Sequence, residues 1–138
     1  MYETLWAAIP AEAAFETSPT IAEVPIHGVP DGEKHLILGV YCMFHTLPVD
    51  GSNNVAGDLE HVDASDSYGI TNRVAAWNFL VANTAMVARK MCTITEEPFQ
   101  MDGGDTLNFE MDITTPDTAG AGACFFVKFR ILSEMKVS

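Results

Sequence analysis

Two stretches near the end of the chain alternate apolar and polar residues so regularly that they leave little choice of fold. From Thr106 to Thr114, Leu107, Phe109, Met111 and Ile113 fall on one side and Asn108, Glu110 and Asp112 on the other. From Ala123 to Leu132, Phe125, Val127, Phe129 and Ile131 alternate with Lys128 and Arg130. Side chains of a strand point alternately to its two faces, so a period of two predicts half-buried antiparallel strands. The acidic outer residues of the first stretch and the basic ones of the second would suit cross-strand pairing.

The rest of the chain is cut by Gly and Pro into similarly short pieces. Lys34 to Leu47 reads as a long central strand, apolar on both faces from His35 to Phe44, with Gly39 marking a bulge. Thr20 to Ile26 reads as an edge strand, because Pro25 cannot donate to a ladder. Pro30-Asp31-Gly32 and Asp102-Gly103-Gly104-Asp105 read as turns. Met1 to Ile9 reads as an opening strand or arm, and Ala11 to Phe15 as one helical turn. Arg73 to Ala82 and Thr84 to Thr95 read as two strands hinged at Asn83, Leu59 to Val62 and Pro98 to Met101 as short ones. The sum is an all-β chain: an antiparallel β-sandwich of jelly-roll type with about eight or nine strands. One domain is expected over residues 1–138, with 1–19 as an extended N-terminal arm.

Charge narrows the partners. Nineteen acidic residues against seven basic ones give a net charge of -12. The basic residues do not cluster, so binding through phosphate neutralisation, and with it nucleic acid, is not expected. No stretch has membrane-spanning length, and the start lacks the basic region of a secretion signal, its apolar run being broken by Pro10 and Glu12. Charged residues are only 19% of the chain, which points to surface buried against other chains. Cys42, Cys92 and Cys124 sit in apolar runs and read as buried free thiols.

Candidate sites are few. His27, His35, His45 and His61 lack the His-x-His spacing of a metal-binding cupin barrel. His35 and His45 share a strand face but lie ~30 Å apart. The region from Pro48 to Asn72 reads largely as an exposed loop rich in oxygen ligands. Asp50, Asn54, Asp58, Glu60, Asp63 and Asp66 form its possible ligand set, calcium being the ion such oxygens would take. An EF-hand is excluded, since its glycine position holds Val55 and its final Glu position His61. No Gly-x-Ser-x-Gly elbow and no phosphate-cradling loop occur, so no catalytic residue, cofactor or enzymatic activity is expected. Trp6, Trp77, Tyr2, Tyr41 and Tyr68 could form a sugar-stacking platform, though core packing or subunit contact suits so few aromatics better.

The run Glu97-Pro98-Phe99-Gln100-Met101-Asp102-Gly103-Gly104-Asp105-Thr106-Leu107-Asn108-Phe109, followed by Ala123-Cys124-Phe125-Phe126-Val127-Lys128-Phe129-Arg130, resembles the ending of small jelly-roll virion proteins of bacteriophages. Capsid decoration, minor capsid and spike components are of this kind. The resemblance covers about forty residues. It implies a virion structural protein that contacts other capsid proteins, assembles as a homotrimer and resides in the particle. Leu5, Trp6 and Ile9 are the candidate interface, since an N-terminal arm could not bury them alone. The alternative is a carbohydrate- or receptor-binding β-sandwich, its site made by the Asp50–Asp66 loop with Tyr68.

Overall fold

The computed structural model describes residues 4–14, 20–46, 55–78, 91–113 and 121–133, with side chains for 24–43, 56–77, 91–110 and 124–132. Among the described residues the strands are β1 (Thr4–Ala14), β2 (Thr20–Gly28), β3 (Lys34–Thr46), β4 (Val55–Asp63), β5 (Gly69–Asn78), β6 (Cys92–Thr95), β7 (Phe99–Asp102), β8 (Thr106–Ile113) and β9 (Ala121–Ser133). A 3₁₀ turn, η1 (Ala64–Asp66), joins β4 to β5.

These strands build an all-β sandwich of two antiparallel sheets. One has the order β1-β9-β3-β6, with β7 also paired to β3; the other has the order β2-β8-β4-β5. β6 pairs with Val40–Cys42 and β7 with Lys34–Ile37, so the two short strands share one edge of β3. Counted as one interrupted strand, they complete the two four-strand layers of a jelly roll.

β3 is central, as its long apolar run requires, and its register slips between Ile37 and Gly39, where the bulge was expected. β2 lies at a sheet edge, with a register shift beside Pro25. Ile37, Val40 and Cys42 of β3, Phe125, Val127 and Phe129 of β9, and Leu59, Leu107 and Phe109 of the other sheet pack into one core. Phe109 and Phe125 meet across it at 5.0 Å between ring centroids.

Part of the outward surface of β3 and β9 is apolar as well. Leu36, Leu38, Tyr41 and Met43, with Cys124 and Phe126, are each partly exposed. Register sets Tyr41 opposite Phe126 and Met43 opposite Cys124, an apolar patch bounded by Lys128 and Arg130, which stand opposite Gly39 and Leu36.

Several expectations are corrected. Ala11–Ala14 continues β1 and forms no helical turn; Thr4–Ala14 pairs along β9 of the same chain. The expected charge pairing of Glu110 and Asp112 with Lys128 and Arg130 does not occur, because β8 and β9 lie in different sheets. Glu110 instead stands at the register positions of Glu23 and Asp58. Alternation fixes which residues face inward but not which sheet a strand joins. Asp58 and Asp63, assigned to a loop, belong to β4, which extends the short strand expected at Leu59 to Val62 in both directions. The turn after β2 spans Pro30–Glu33, closed by the Glu33 N–H donating to the Pro30 carbonyl at 3.1 Å. Pro30 is therefore its first residue, and Gly32, at φ 86°, takes the left-handed position. The hinge expected at Asn83 lies outside the described residues.

Candidate functional site

Polar chemistry concentrates at one end of the sandwich, where the β2–β3 turn, the β7–β8 turn and η1 meet. The Val29 N–H donates to the Asp105 carbonyl at 3.0 Å, and the Gly104 N–H donates to the Val29 carbonyl at 2.8 Å. Close approach explains the glycine pair. A methyl at Gly103 would stand 2.9 Å from the Gly32 nitrogen and 3.1 Å from the Pro30 oxygen, and Gly104 holds φ 89°.

Asp105 closes this turn and is almost wholly buried. Its Oδ2 accepts from His61 Nε2 at 2.8 Å and from the Asp102 N–H at 2.9 Å; its Oδ1 accepts from the Ala64 N–H at 3.0 Å. The Arg73 guanidinium donates to His61 Nδ1, from Nη2 at 2.7 Å and Nε at 3.2 Å, which places the imidazole proton of neutral His61 on Nε2. The guanidinium also lies 4.7 Å over the Phe99 ring. An Asp–His pair can serve a nucleophile only through the second imidazole nitrogen. Here Arg73 occupies that nitrogen, and the result is a chain of charge-assisted bonds tying β4, β5, β7 and β8 together.

A second cluster bridges the sheets nearby. His27 Nε2 and His35 Nδ1 are 2.9 Å apart, and His35 Nε2 faces Glu33 Oε2 at 2.6 Å. With His35 donating to the carboxylate, its neutral Nδ1 accepts from His27. Phe129 stacks on His35 at 4.8 Å between centroids and tilts against His27 at 4.5 Å. Burial, and then the neighbouring His35, depress the pKa of His27 to about 4.

Among the described residues, the expected ligand residues do not converge. Asp58 Oδ1 accepts the Ala76 N–H at 2.5 Å, supporting that residue at φ 49°. Asp63 caps η1: its Oδ1 accepts from the Ser65 N–H at 2.8 Å, the Ser65 hydroxyl at 2.7 Å and the Asp66 N–H at 3.3 Å. Those bonds hold its carboxyl below the usual range. Glu60 is buried and Asp66 exposed. Asp50 and Asn54 lie outside the described residues, and no group of three or more His, Cys, Asp or Glu among those described could hold a metal ion. Leu5, Trp6 and Ile9 lie on β1 at the register positions of Phe129, Lys128 and Phe125.

Of the histidines weighed as ligands, His27, His35 and His61 turn to protein partners; His45 lies on β3 with its side chain outside those described. Sequence reasoning missed Asp105, Arg73 and the His27–His35 pair. The pair had a signal: eight residues straddling a Pro–Gly turn bring two strand ends side by side. The Asp105 contact had none, because His61 is 44 residues away.

An open groove of about 150 Å³ lies beside this network, lined by Asn72, Arg73, Thr95, Glu97, Pro98 and Phe99. It is small for a ligand pocket. Tyr68, 70% exposed and at φ 62°, and Ile70, 59% exposed, project nearby in sequence.

Fold and site together define a jelly roll whose described buried histidines and Asp105 are engaged in holding turns and strands. No protein-family model and no curated protein matches the chain. Among solved structures it is similar to a chain of the cyanophage Pam1 capsid asymmetric unit, at 14% identity over 95% of this chain and 84% of that one, with a TM-score of 0.49. At that score and identity the likeness carries no weight for function. No helix among the described residues is long and apolar enough to cross a membrane.

Proposed function

We propose that this protein is a structural component of a virion, of capsid decoration or minor capsid kind, acting through protein–protein contact and not as an enzyme. The observation that carries the reading is an apolar patch on the outer face of the β1-β9-β3-β6 sheet, bounded by Lys128 and Arg130. Leu36, Leu38, Met43 and Phe126 occupy positions that a sheet facing water fills with polar residues. Jelly rolls serve viral capsids, lectins and cupins, so the fold alone does not choose. A cupin needs histidines free for a metal, whereas His27, His35 and His61 are bound to neighbouring side chains. The low share of charged residues fits extensive burial between subunits. A homotrimer in contact with other capsid proteins is the assembly proposed, with Trp6 of β1 contributing.

A carbohydrate- or receptor-binding module is the second reading, favoured by exposed Tyr68 held at a left-handed φ beside η1. Thermal melting separates the two. An assembly protein melts at a temperature that rises with its own concentration and ignores calcium and sugars. A melting temperature independent of protein concentration but raised by calcium or a glycan would replace the first reading by the second.

A further inference from the structure

Cys42 of β3 and Cys92 of β6 are register partners on adjacent antiparallel strands. Directly opposite residues present their side chains on the same face of a sheet, with Cα atoms about 4.5 or 5.5 Å apart depending on the hydrogen-bonding class of the pair. Both spacings lie within the range a disulfide spans. Cys42 is fully buried in the core, and Cys92 packs against that core while remaining partly exposed. The third cysteine is placed differently. Cys124 is paired with Met43, the next residue along β3, and so belongs to the outer face of the sheet.

We propose that Cys42 and Cys92 are a cross-strand thiol pair that closes to a disulfide when the protein meets an oxidising disulfide such as oxidised glutathione, fastening the short edge strand β6 to central β3. This inference is independent of the virion reading. The partly exposed Cys92 thiolate attacks one sulfur of glutathione disulfide and expels one glutathione thiolate, which takes up the proton that Cys92 lost. Cys42 then gives up its proton and attacks the Cys92 sulfur of the mixed disulfide, expelling the second glutathione. The cysteine pair loses two electrons, and glutathione disulfide gains them. Burial pushes the Cys42 thiol well above the usual cysteine range, with Cys92 beside it adding to the shift. The second step is therefore the slow one and quickens with pH. A reducing cytosol keeps the pair open, and release into an oxidising medium closes it.

The test uses the full chain and the variants Cys124→Ala and Cys92→Ala, equilibrated over a series of oxidised-to-reduced glutathione ratios. Thiols are counted in denaturant, and peptides are mapped without reduction. The expected result is a single remaining thiol on the oxidised protein, a mass lower by two hydrogens, and a peptide linking Cys42 to Cys92. Cys124→Ala should go to no free thiol and melt several degrees higher oxidised than reduced. Cys92→Ala should form no internal bridge. Three titratable thiols at every ratio, glutathione adducts that never close, or bridges only through Cys124 would overturn the proposal.

Discussion

Three backbone and side-chain donors converge on the Asp105 carboxylate: the His61 imidazole, the Asp102 N–H and the Ala64 N–H. Asp105→Ala leaves them unsatisfied in a nearly dry site, so it should cost about 3 kcal/mol or more in urea unfolding; Asp105→Asn, which keeps one acceptor oxygen, should cost less. His27 makes stability pH-dependent in a defined window. Its pKa is about 4 folded against 6.5 in the unfolded chain, so the unfolded state binds the proton first as pH falls. Its contribution is complete above about pH 6.5, declines by at most about 1.4 kcal/mol per pH unit, and levels off below about pH 4. Subtracting the unfolding curve of His27→Gln isolates this share from that of the carboxylates; a difference flat between pH 4 and 6.5 would disprove it. At this scale the sequence was least legible. Histidine spacing exposes a metal motif when one exists, but a lone buried imidazole and its carboxylate are chosen by the tertiary fold.

The turns act as a unit because they touch. Gly103 lies against backbone atoms of the β2–β3 turn, which cannot rotate aside as a side chain can. Gly103→Ala should therefore destabilise by about 2 kcal/mol, read as a drop in urea midpoint at unchanged slope. A loss below about 0.5 kcal/mol would show that the turns separate easily. Strands themselves were legible where alternation or an apolar run was long, as in β3, β8 and β9, and Pro25 marked an edge correctly. Boundaries failed where chemistry is ambiguous. Asp58 and Asp63 look like loop residues, yet they flank the expected short strand at Leu59 to Val62 and extend it along β4, which the buried Leu59 fixes. The four-residue β7 was legible at Pro98 to Met101, one residue early, and β6 as the end of the strand expected over Thr84 to Thr95; both pair with β3.

At the scale of the molecule, two-sheet architecture follows from the number of short strands, while strand order does not. Opposite charges on β8 and β9 pointed to neighbours, but the two strands lie in different sheets. Sequence did register the apolar outer face of β3, and that face is what the proposed function uses. Leu38→Glu, on that face and away from the core, should leave the fold intact by circular dichroism and weaken association. Molecular mass in solution, by light scattering behind a sizing column over a range of concentrations, tests the account most directly. A trimer or larger closed ring, shifting toward monomer in Leu38→Glu, is the result expected. A monomer at every concentration, with wild type and Leu38→Glu indistinguishable, would contradict it.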